Sequence, residues 1–154
     1  MFSVTVVPNS LSIDSRVPLF VAGKVWLTIS HTDFPERDWT DSPLSVIGSM
    51  GAAVCDYLAV GTGGMYFFEG PYLVQLTHDP SDDSLVVVSA ICDRPSLIGN
   101  RESEETVEAQ VSVPLRDVIG SYQAALRALE EWASLNGEED VASVLSQMDR
   151  FAEY

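Results

Sequence analysis

Residues 106–132, TVEAQVSVPLRDVIGSYQAALRALEEW, change their hydrophobic period partway along. From Val107 to Val113 apolar residues alternate with polar ones, which is the period of two of a half-buried strand. Beyond Pro114 the apolar residues recur at helical spacing, which predicts an amphipathic helix. That helix would bury one stripe of side chains: Leu115, Val118, Ile119, Tyr122, Leu126, Leu129 and Trp132. A strand that runs straight into a long helix predicts a fold that mixes both elements.

Most of the chain before residue 106 predicts strands, because β-branched and aromatic residues are grouped between turn-forming residues. The predicted strands are Phe2–Val7, Leu19–Ile29, Met65–Phe68, Tyr72–Thr77 and Leu85–Cys92. Glu69-Gly70-Pro71 predicts a turn between two of them. We expect a polar loop over His31–Ser42 and a mobile loop over Asp93–Glu105.

A first helix is predicted in the segment from Ser42 to Gly61. Ser42 followed by Pro43 suits the N-cap and the first position of a helix, and Gly61 suits its end. Gly48 and Gly51 each weaken a helix by about 1 kcal/mol relative to Ala, so we expect them to allow close packing against a sheet.

The C-terminal third is predicted to hold two further helices. Asn136-Gly137 ends the helix that follows Pro114, and residues 138–140, Glu-Glu-Asp, open the last one. The apolar stripe of the last helix is Val141, Val144, Leu145, Met148 and Phe151. The predicted fold class is α+β: a single domain over residues 1–154, with a mainly antiparallel sheet, one internal helix and two C-terminal helices packed on one face.

The chain combines a large acidic excess with a composition suited to folding. Eight Lys and Arg face 23 Asp and Glu, a formal net charge of -15, yet 46% of the residues are apolar. A disordered acidic tail would be poor in aromatic and β-branched residues, so the charge belongs to the surface of a packed domain. Such a surface repels nucleic acid and anionic membranes and attracts basic proteins. We predict a basic protein partner, no nucleic-acid or membrane partner, and a monomer or weak homodimer.

The sequence favours a cytoplasmic protein. The N-terminus has neither the basic stretch nor the cleavage site of a signal peptide, and no apolar run approaches the ~18 residues of a membrane helix. The two cysteines, Cys55 and Cys92, lie in apolar stretches and are predicted to be reduced, buried thiols.

No motif in the sequence identifies a reaction. His31 and His78 each have a carboxylate nearby but lack the spacing of a zinc site, so we expect solvated surface histidines. Asp79, Asp82 and Asp83 lack the glycine and the terminal Glu of a calcium loop and predict an ordinary acidic turn. Because no acid, base and nucleophile converge, we predict that the protein is not an enzyme and has no catalytic residue, metal or cofactor.

The polar loop is the first candidate for a partner-binding surface. Its twelve residues contain the carboxylates Asp33, Glu36, Asp38 and Asp41 and the aromatics Phe34 and Trp39. Exposed aromatic side chains among carboxylates are typical of an interface that binds a basic protein. In the alternative, both aromatics fold back as a lid on the core. Asp41 also suits helix capping together with Ser42.

The second candidate is the corner between the last two helices. Glu130 and Glu131 lie in the predicted last turn of a helix, where the helix dipole opposes negative charge. Arg127 is placed to relieve Glu131 at i,i+4, and the turn at Asn136-Gly137 would bring both acids near residues 138–140. Charge held against local preference is typical of a surface that binds a cation. The predicted partner-binding residues are therefore Asp33, Glu36, Asp38, Trp39, Asp41, Glu130 and Glu131.

The chain, with its hairpin sequence Phe-Phe-Glu-Gly-Pro-Tyr at 67–72, resembles the immunity proteins of bacterial polymorphic-toxin and contact-dependent inhibition systems. The resemblance is one of size, charge and element order over the whole chain, and no family residues carry over. It implies an antitoxin that binds a cognate, usually basic, toxin domain and blocks its active site or substrate access. Two alternatives stay open: a type III secretion-type chaperone that binds an effector segment, and a phage-encoded inhibitor that mimics nucleic-acid charge.

Overall fold

The computed structural model describes residues 1–14, 16–17, 19–95 and 103–154. The strands are β1 (Phe2–Val6), β2 (Ser12–Ile13), β3 (Val21–Ile29), β4 (Thr32–Phe34), β5 (Thr40–Asp41), β6 (Thr62–Tyr66), β7 (Tyr72–Asp79), β8 (Asp82–Pro95) and β9 (Ser103–Pro114). The helices are α1 (Pro43–Val60), α2 (Leu115–Asn136) and α3 (Glu139–Ser146). Helices and antiparallel strands are both abundant, so the predicted α+β class is confirmed.

The strands form two antiparallel sheets, not the single sheet that the strand pattern predicts. The first sheet is built on β3, which pairs with β1, β2, β4 and β5. Two of these partners lie within His31–Ser42, where a loop is expected: Phe34 of β4 pairs with Leu27, and Asp41 of β5 pairs with Gly23. The expected polar loop is therefore partly strand, because β3 offers hydrogen-bonding partners along its length.

The second sheet is a meander in the order β6-β7-β8-β9. Its first hairpin turns at residues 69–71, as predicted. Strands β8 and β9 extend into the segment Asp93–Glu105 that is expected to be a mobile loop, because Asp93 pairs with Glu105 and Arg94 with Glu104. The remainder of that expected loop, residues 96–102, lies outside the described residues.

A single hydrophobic core joins both sheets to the helices. Helix α1 packs on β6 and β3, one strand from each sheet, while α2 packs on β1, β8 and β9. Alternate residues of the second sheet point into this core, and the side chains of Met65, Val74 and Val88 are buried. Helices α1 and α2 therefore cover one face of the four-stranded sheet, α3 packs on α2, and the other face of the sheet points outward.

The sequence signals at the ends of α1 are confirmed. Ser42 occupies the N-cap, Pro43 is the first helical residue, and Gly61 ends the helix with a left-handed φ of 80°. By length and composition alone α1 could cross a membrane, with a mean hydropathy of 1.4 over 18 residues, so the expectation that no run is long enough is wrong. Half of the helix is buried inside the protein, which gives its apolar side chains a place in the core.

The glycines of α1 do not face a sheet as expected. A Cβ on Gly51 would lie 2.9 Å from the hydroxyl oxygen of Tyr122 in α2, and Gly48 faces the segment that follows α3. The close contact between α1 and the second sheet depends instead on Gly63 of β6, where a Cβ would overlap the carbonyl oxygen of Ala53. The prediction that Gly48 and Gly51 allow close packing is correct, but the prediction that they pack against a sheet is wrong.

The last helix is shorter than its apolar stripe. Helix α3 ends at Ser146, so Met148 and Phe151 lie beyond it. Phe151 is nevertheless buried, with its ring centroid 5.5 Å from that of Tyr122. The Tyr122 hydroxyl donates to the carbonyl oxygen of Asp149 at 2.9 Å. These contacts with α2 hold the C-terminal segment in place.

Candidate functional site

An open cleft of about 600 Å³ lies between the start of β3, strand β5 and the turn that joins β6 to β7. We call it the acidic cleft, and its lining residues are Phe20, Ala22, Glu36, Asp38, Trp39, Thr40, Asp41 and Glu69. Four of these side chains are carboxylates, and no lining residue in the described part of the chain is basic. The cleft therefore presents negative charge beside aromatic surface.

Asp41 supports the cleft from below. Its side chain is buried, at 3% exposure. One carboxylate oxygen accepts hydrogen bonds from the backbone amides of Phe68 and Glu69, both at 3.0 Å, and the other accepts from the Ser42 amide at 2.6 Å. The carboxylate thus fastens β5 to the β6–β7 turn. We assign Asp41 to positioning the cleft, since its burial leaves little surface for the partner contact expected of it.

The two aromatics of the expected loop have different positions. Phe34 is fully buried, with its ring edge-on to Tyr72 at 5.6 Å between centroids, so the lid alternative describes it correctly. Trp39 also packs edge-on to Tyr72, at 5.3 Å, but it is half-buried and lines the cleft. Its indole N–H donates to Asp41 at 3.2 Å. Trp39 is therefore both anchored and available to a ligand.

Three carboxylates of the cleft, Glu36, Asp38 and Glu69, are exposed. Asp38 lies 3.3 Å from the Lys24 ammonium, with the two side chains 56% and 42% exposed. An ion pair this exposed contributes little to stability and is readily exchanged for another cation. Asp38 also has a φ of 62°, a left-handed conformation that Asp and Asn tolerate better than most residues.

The remaining loop carboxylate, Asp33, lies outside the cleft lining. It is half-buried, and its carboxylate accepts a hydrogen bond from the Thr28 hydroxyl at 2.8 Å across β3 and β4. We therefore assign it to strand pairing. The structure brings together Glu36, Asp38, Trp39 and Asp41 of the predicted set.

Sequence reasoning missed Glu69 and Phe20, which complete the cleft. Glu69 belongs to the turn sequence Glu-Gly-Pro, and Gly70 adopts the left-handed φ of 87° that the turn requires. The turn was visible in the sequence, but its position beside β5 depends on the hydrogen bonds from Phe68 and Glu69 to Asp41. No spacing in the sequence indicates that contact.

The predicted C-terminal corner separates into two parts. Glu130 pairs with Arg150 at 2.6 Å and raises the pKa of the Arg150 guanidinium, so it holds the C-terminal segment against α2. Helix α2 continues to Asn136, which places Glu130 and Glu131 before its last turn rather than in it. Glu131 is exposed, and no ion pair joins it to Arg127 among the pairs in the described chain.

The other side chains that could take part in a reaction are the two histidines and the two cysteines. His31 and His78 are exposed, as predicted, and the Nδ1 atom of His78 lies 3.0 Å from the Tyr57 hydroxyl. Cys92 is buried as predicted, but Cys55 is exposed, because its helix position faces away from the core. Partial burial and then the charge of Asp149 raise the pKa of the Cys55 thiol, which disfavours the reactive thiolate. No group of three or more potential metal ligands occurs within the described ranges.

The fold and the cleft together define an acidic α+β protein with a carboxylate- and aromatic-lined surface site. Comparison of the chain with protein-family models, with curated proteins and with solved structures finds no match.

Proposed function

We propose that the protein is an immunity protein: it binds a cognate basic toxin domain through the acidic cleft and blocks that domain's active site or access to its substrate. The observation that carries the proposal is the cleft itself, where exposed carboxylates surround an anchored tryptophan on a chain of net charge -15. The resemblance in size, charge and element order to immunity proteins supports the same conclusion.

The chemistry of the cleft suits a cationic side chain. Carboxylates such as Glu36 and Glu69 can accept paired hydrogen bonds from a guanidinium, and the rings of Trp39 and Phe20 can take up its planar face. A volume of about 600 Å³ accommodates one or two such side chains. A toxin domain that acts on an anionic substrate carries cations at its active site, so this cleft would compete with the substrate for the same charges.

Preorganisation is a second argument for the cleft. Trp39 is held by Tyr72 and Asp41, and the turn carrying Glu69 is held by Asp41. A ligand therefore meets an anchored tryptophan and a fixed turn, which reduces the entropy lost on binding. In this proposal the protein acts in the cytoplasm without catalysis or cofactor, as a monomer or weak homodimer.

The test compares partner capture and affinity for two charge-matched variants. The cleft variant is Glu36→Gln with Asp38→Asn, because Asn tolerates the left-handed φ of 62° at residue 38 where Ala would add strain. The control is Glu139→Gln with Asp140→Asn, which removes two exposed carboxylates from α3. Immobilised wild-type protein captures the partner from lysate of the source organism, and calorimetry with the purified partner measures the affinity.

We expect a basic partner whose toxic activity is abolished at one equivalent of the wild-type protein. The cleft variant should bind at least about 30-fold more weakly, which corresponds to about 2 kcal/mol, while the control binds like the wild type. An acidic partner, or equal affinity for the wild type and the cleft variant, would contradict the proposal. Capture of an extended secreted-effector segment, or of a nucleic-acid-binding enzyme, would favour the chaperone or the phage-inhibitor alternative.

A further inference from the structure

The outward face of the second sheet carries a row of apolar side chains. Strand register places one residue from each of β6, β7, β8 and β9 side by side: Tyr66, Leu73, Ile91 and Val107. The ends of the row are accessible, with Tyr66 53% and Val107 57% exposed, whereas Leu73 is half-buried and Ile91 is buried at 5% exposure. An open depression of about 500 Å³ borders Tyr66, Leu73 and Ile91 of the row. The charged residues in its described lining are Asp56 of α1 and Glu105 of β9, both acidic.

Two carboxylates meet at one end of this row. Asp93 of β8 pairs directly with Glu105 of β9, two positions along from the pair formed by Ile91 and Val107. Side chains two positions apart in a strand share a face, so both carboxylates lie on the outward face. Like charges directly opposite each other destabilise a sheet, so this pair calls for a neutralising cation.

The Asp93 carboxylate also lacks a donor. Its Oδ1 atom is buried, and within the described part of the chain this oxygen has no hydrogen-bond partner. The neighbouring cation, Arg94, belongs by strand alternation to the opposite face, the face of Tyr72 and Cys92. Buried polar groups in folded proteins are normally paired, so an unpaired oxygen marks a place for a missing donor.

We propose that the outward face of the second sheet is a second docking surface, for a segment of another protein that carries an apolar side chain beside a cationic one. The apolar side chain lies along the row between the exposed side chains of Tyr66 and Val107, and the cation bonds to Asp93 and Glu105. A second copy of this chain is a poor occupant, because each copy has a net charge of -15 and would bring more carboxylates to the site. The inference does not depend on the acidic cleft.

The first experiment is an NMR titration of the ¹⁵N-labelled protein with the peptide acetyl-Leu-Arg-Leu-Arg-amide. We expect shifts at the amides of Leu73, Ile91, Glu105 and Val107, and none there with acetyl-Leu-Glu-Leu-Glu-amide. Asp93→Asn should weaken this binding at least about 10-fold, which is the loss of about one charge-assisted bond, whereas Asp140→Asn on α3 should not. The Glu36→Gln with Asp38→Asn variant should retain these shifts, which separates this surface from the acidic cleft.

The second experiment measures thermal stability. Asp93→Asn relieves the repulsion with Glu105 and supplies its own donor, so we expect the melting temperature to rise by about 2 °C, as for a modest stabilisation of a chain of this size. A fall in melting temperature would overturn the proposal, because Asp93 would then have a partner within this chain.

Two outcomes of the NMR titration would also overturn the proposal. Identical shifts produced by Ca²⁺ or Mg²⁺ would indicate a metal site, and concentration-dependent self-association at the same residues would assign the face to a second copy.

Discussion

At the scale of single residues, Asp79 is held in its charged state by the turn around it. Its carboxylate accepts hydrogen bonds from the Ser81 amide at 2.8 Å and the Ser81 hydroxyl at 2.6 Å. The side-chain hydrogen bond from Ser112, followed by those from Ser81, lowers the pKa of Asp79 from 3.8 to about 2. The acidic turn predicted at this position is therefore closed by one carboxylate, which accepts two hydrogen bonds from Ser81.

Replacing Asp79 with Asn should lower stability at neutral pH and have almost no effect near pH 2. The folded-state pKa of about 2 lies below the unfolded value of 3.8, so the carboxylate stabilises the fold above pH 3.8 and loses this contribution as the pH falls to about 2. Urea denaturation of both proteins across this range measures the difference. Asp83→Asn, which removes an exposed carboxylate from the same turn, is the control. If Asp79→Asn lowers the free energy of unfolding by the same amount at every pH, the argument is contradicted.

Single carboxylates also mark the limit of sequence reasoning. The sequence places Glu36, Asp38 and Asp41 in one polar loop and sets Asp41 apart only by its suitability for helix capping. The structure separates them, because Asp41 receives the amides of Phe68 and Glu69 from a turn 27 and 28 residues away in the chain. Because this contact is so distant in the chain, the burial of Asp41 leaves no pattern in the local sequence. Glu36 and Asp38 stay exposed, as the loop prediction expects.

At the scale of elements, the length of a helix or strand determines how well the sequence predicts it. The caps and periodicity of α1 and α2 give their bounds closely, since 18 and 22 residues provide several turns of pattern. Strands β4 and β5 have three and two residues, too few for any period, and exist because β3 pairs with them. The assignment of strands to two sheets likewise depends on pairing partners, which periodicity does not specify.

The glycines of α1 and α2 provide a test of helix packing. Gly51→Ala should destabilise the protein, because the new Cβ would lie 2.9 Å from the hydroxyl oxygen and 3.1 Å from ring carbons of the fully buried Tyr122. Gly120→Ala in α2 meets nothing within 4 Å and should stabilise by up to about 1 kcal/mol through helix propensity alone.

Gly48→Ala is the intermediate case, since its Cβ would lie 3.4 Å from the flexible end of Met148 and should be neutral or stabilising. Chemical denaturation of the three variants measures the order. Equal stabilisation by Gly51→Ala and Gly120→Ala would mean that Tyr122 can move, and that the contact between α1 and α2 is looser than the structure indicates.

At the scale of the whole molecule, the acidic cleft and the outward sheet face meet at the β6–β7 hairpin. Phe68 lies between them: its amide bonds to Asp41 below the cleft, its side chain is 59% exposed, and Tyr66 of the sheet face precedes it by two positions. One partner can therefore contact both surfaces. The sequence predicts an acidic surface from composition. Strand register places Asp93 beside Glu105, and the hydrogen bonds to Asp41 place Glu69 within the cleft, so spacing in the sequence indicates neither contact.

The net charge of -15 makes a prediction about salt that concerns stability and binding together. Repulsion among like charges opposes the compact state, and screening shortens its range from about 30 Å at 0.01 M to about 8 Å at 0.15 M ionic strength. The melting temperature should therefore rise as sodium chloride increases over this range. Over the same range, the association rate with the proposed basic partner should fall, because the attraction that steers the two proteins together is screened.

A variant that replaces the exposed residues Glu104, Glu139 and Glu153 with Gln separates this effect from general effects of salt. These residues lie outside the lining of the acidic cleft, so the variant should keep the partner and melt with a weaker dependence on salt. Differential scanning calorimetry measures the melting temperature, and stopped-flow fluorescence measures association. If the wild type and the variant gain equally from salt, the gain comes from ion effects on hydration rather than from the acidic surface, and the charge would not be the property that governs this protein.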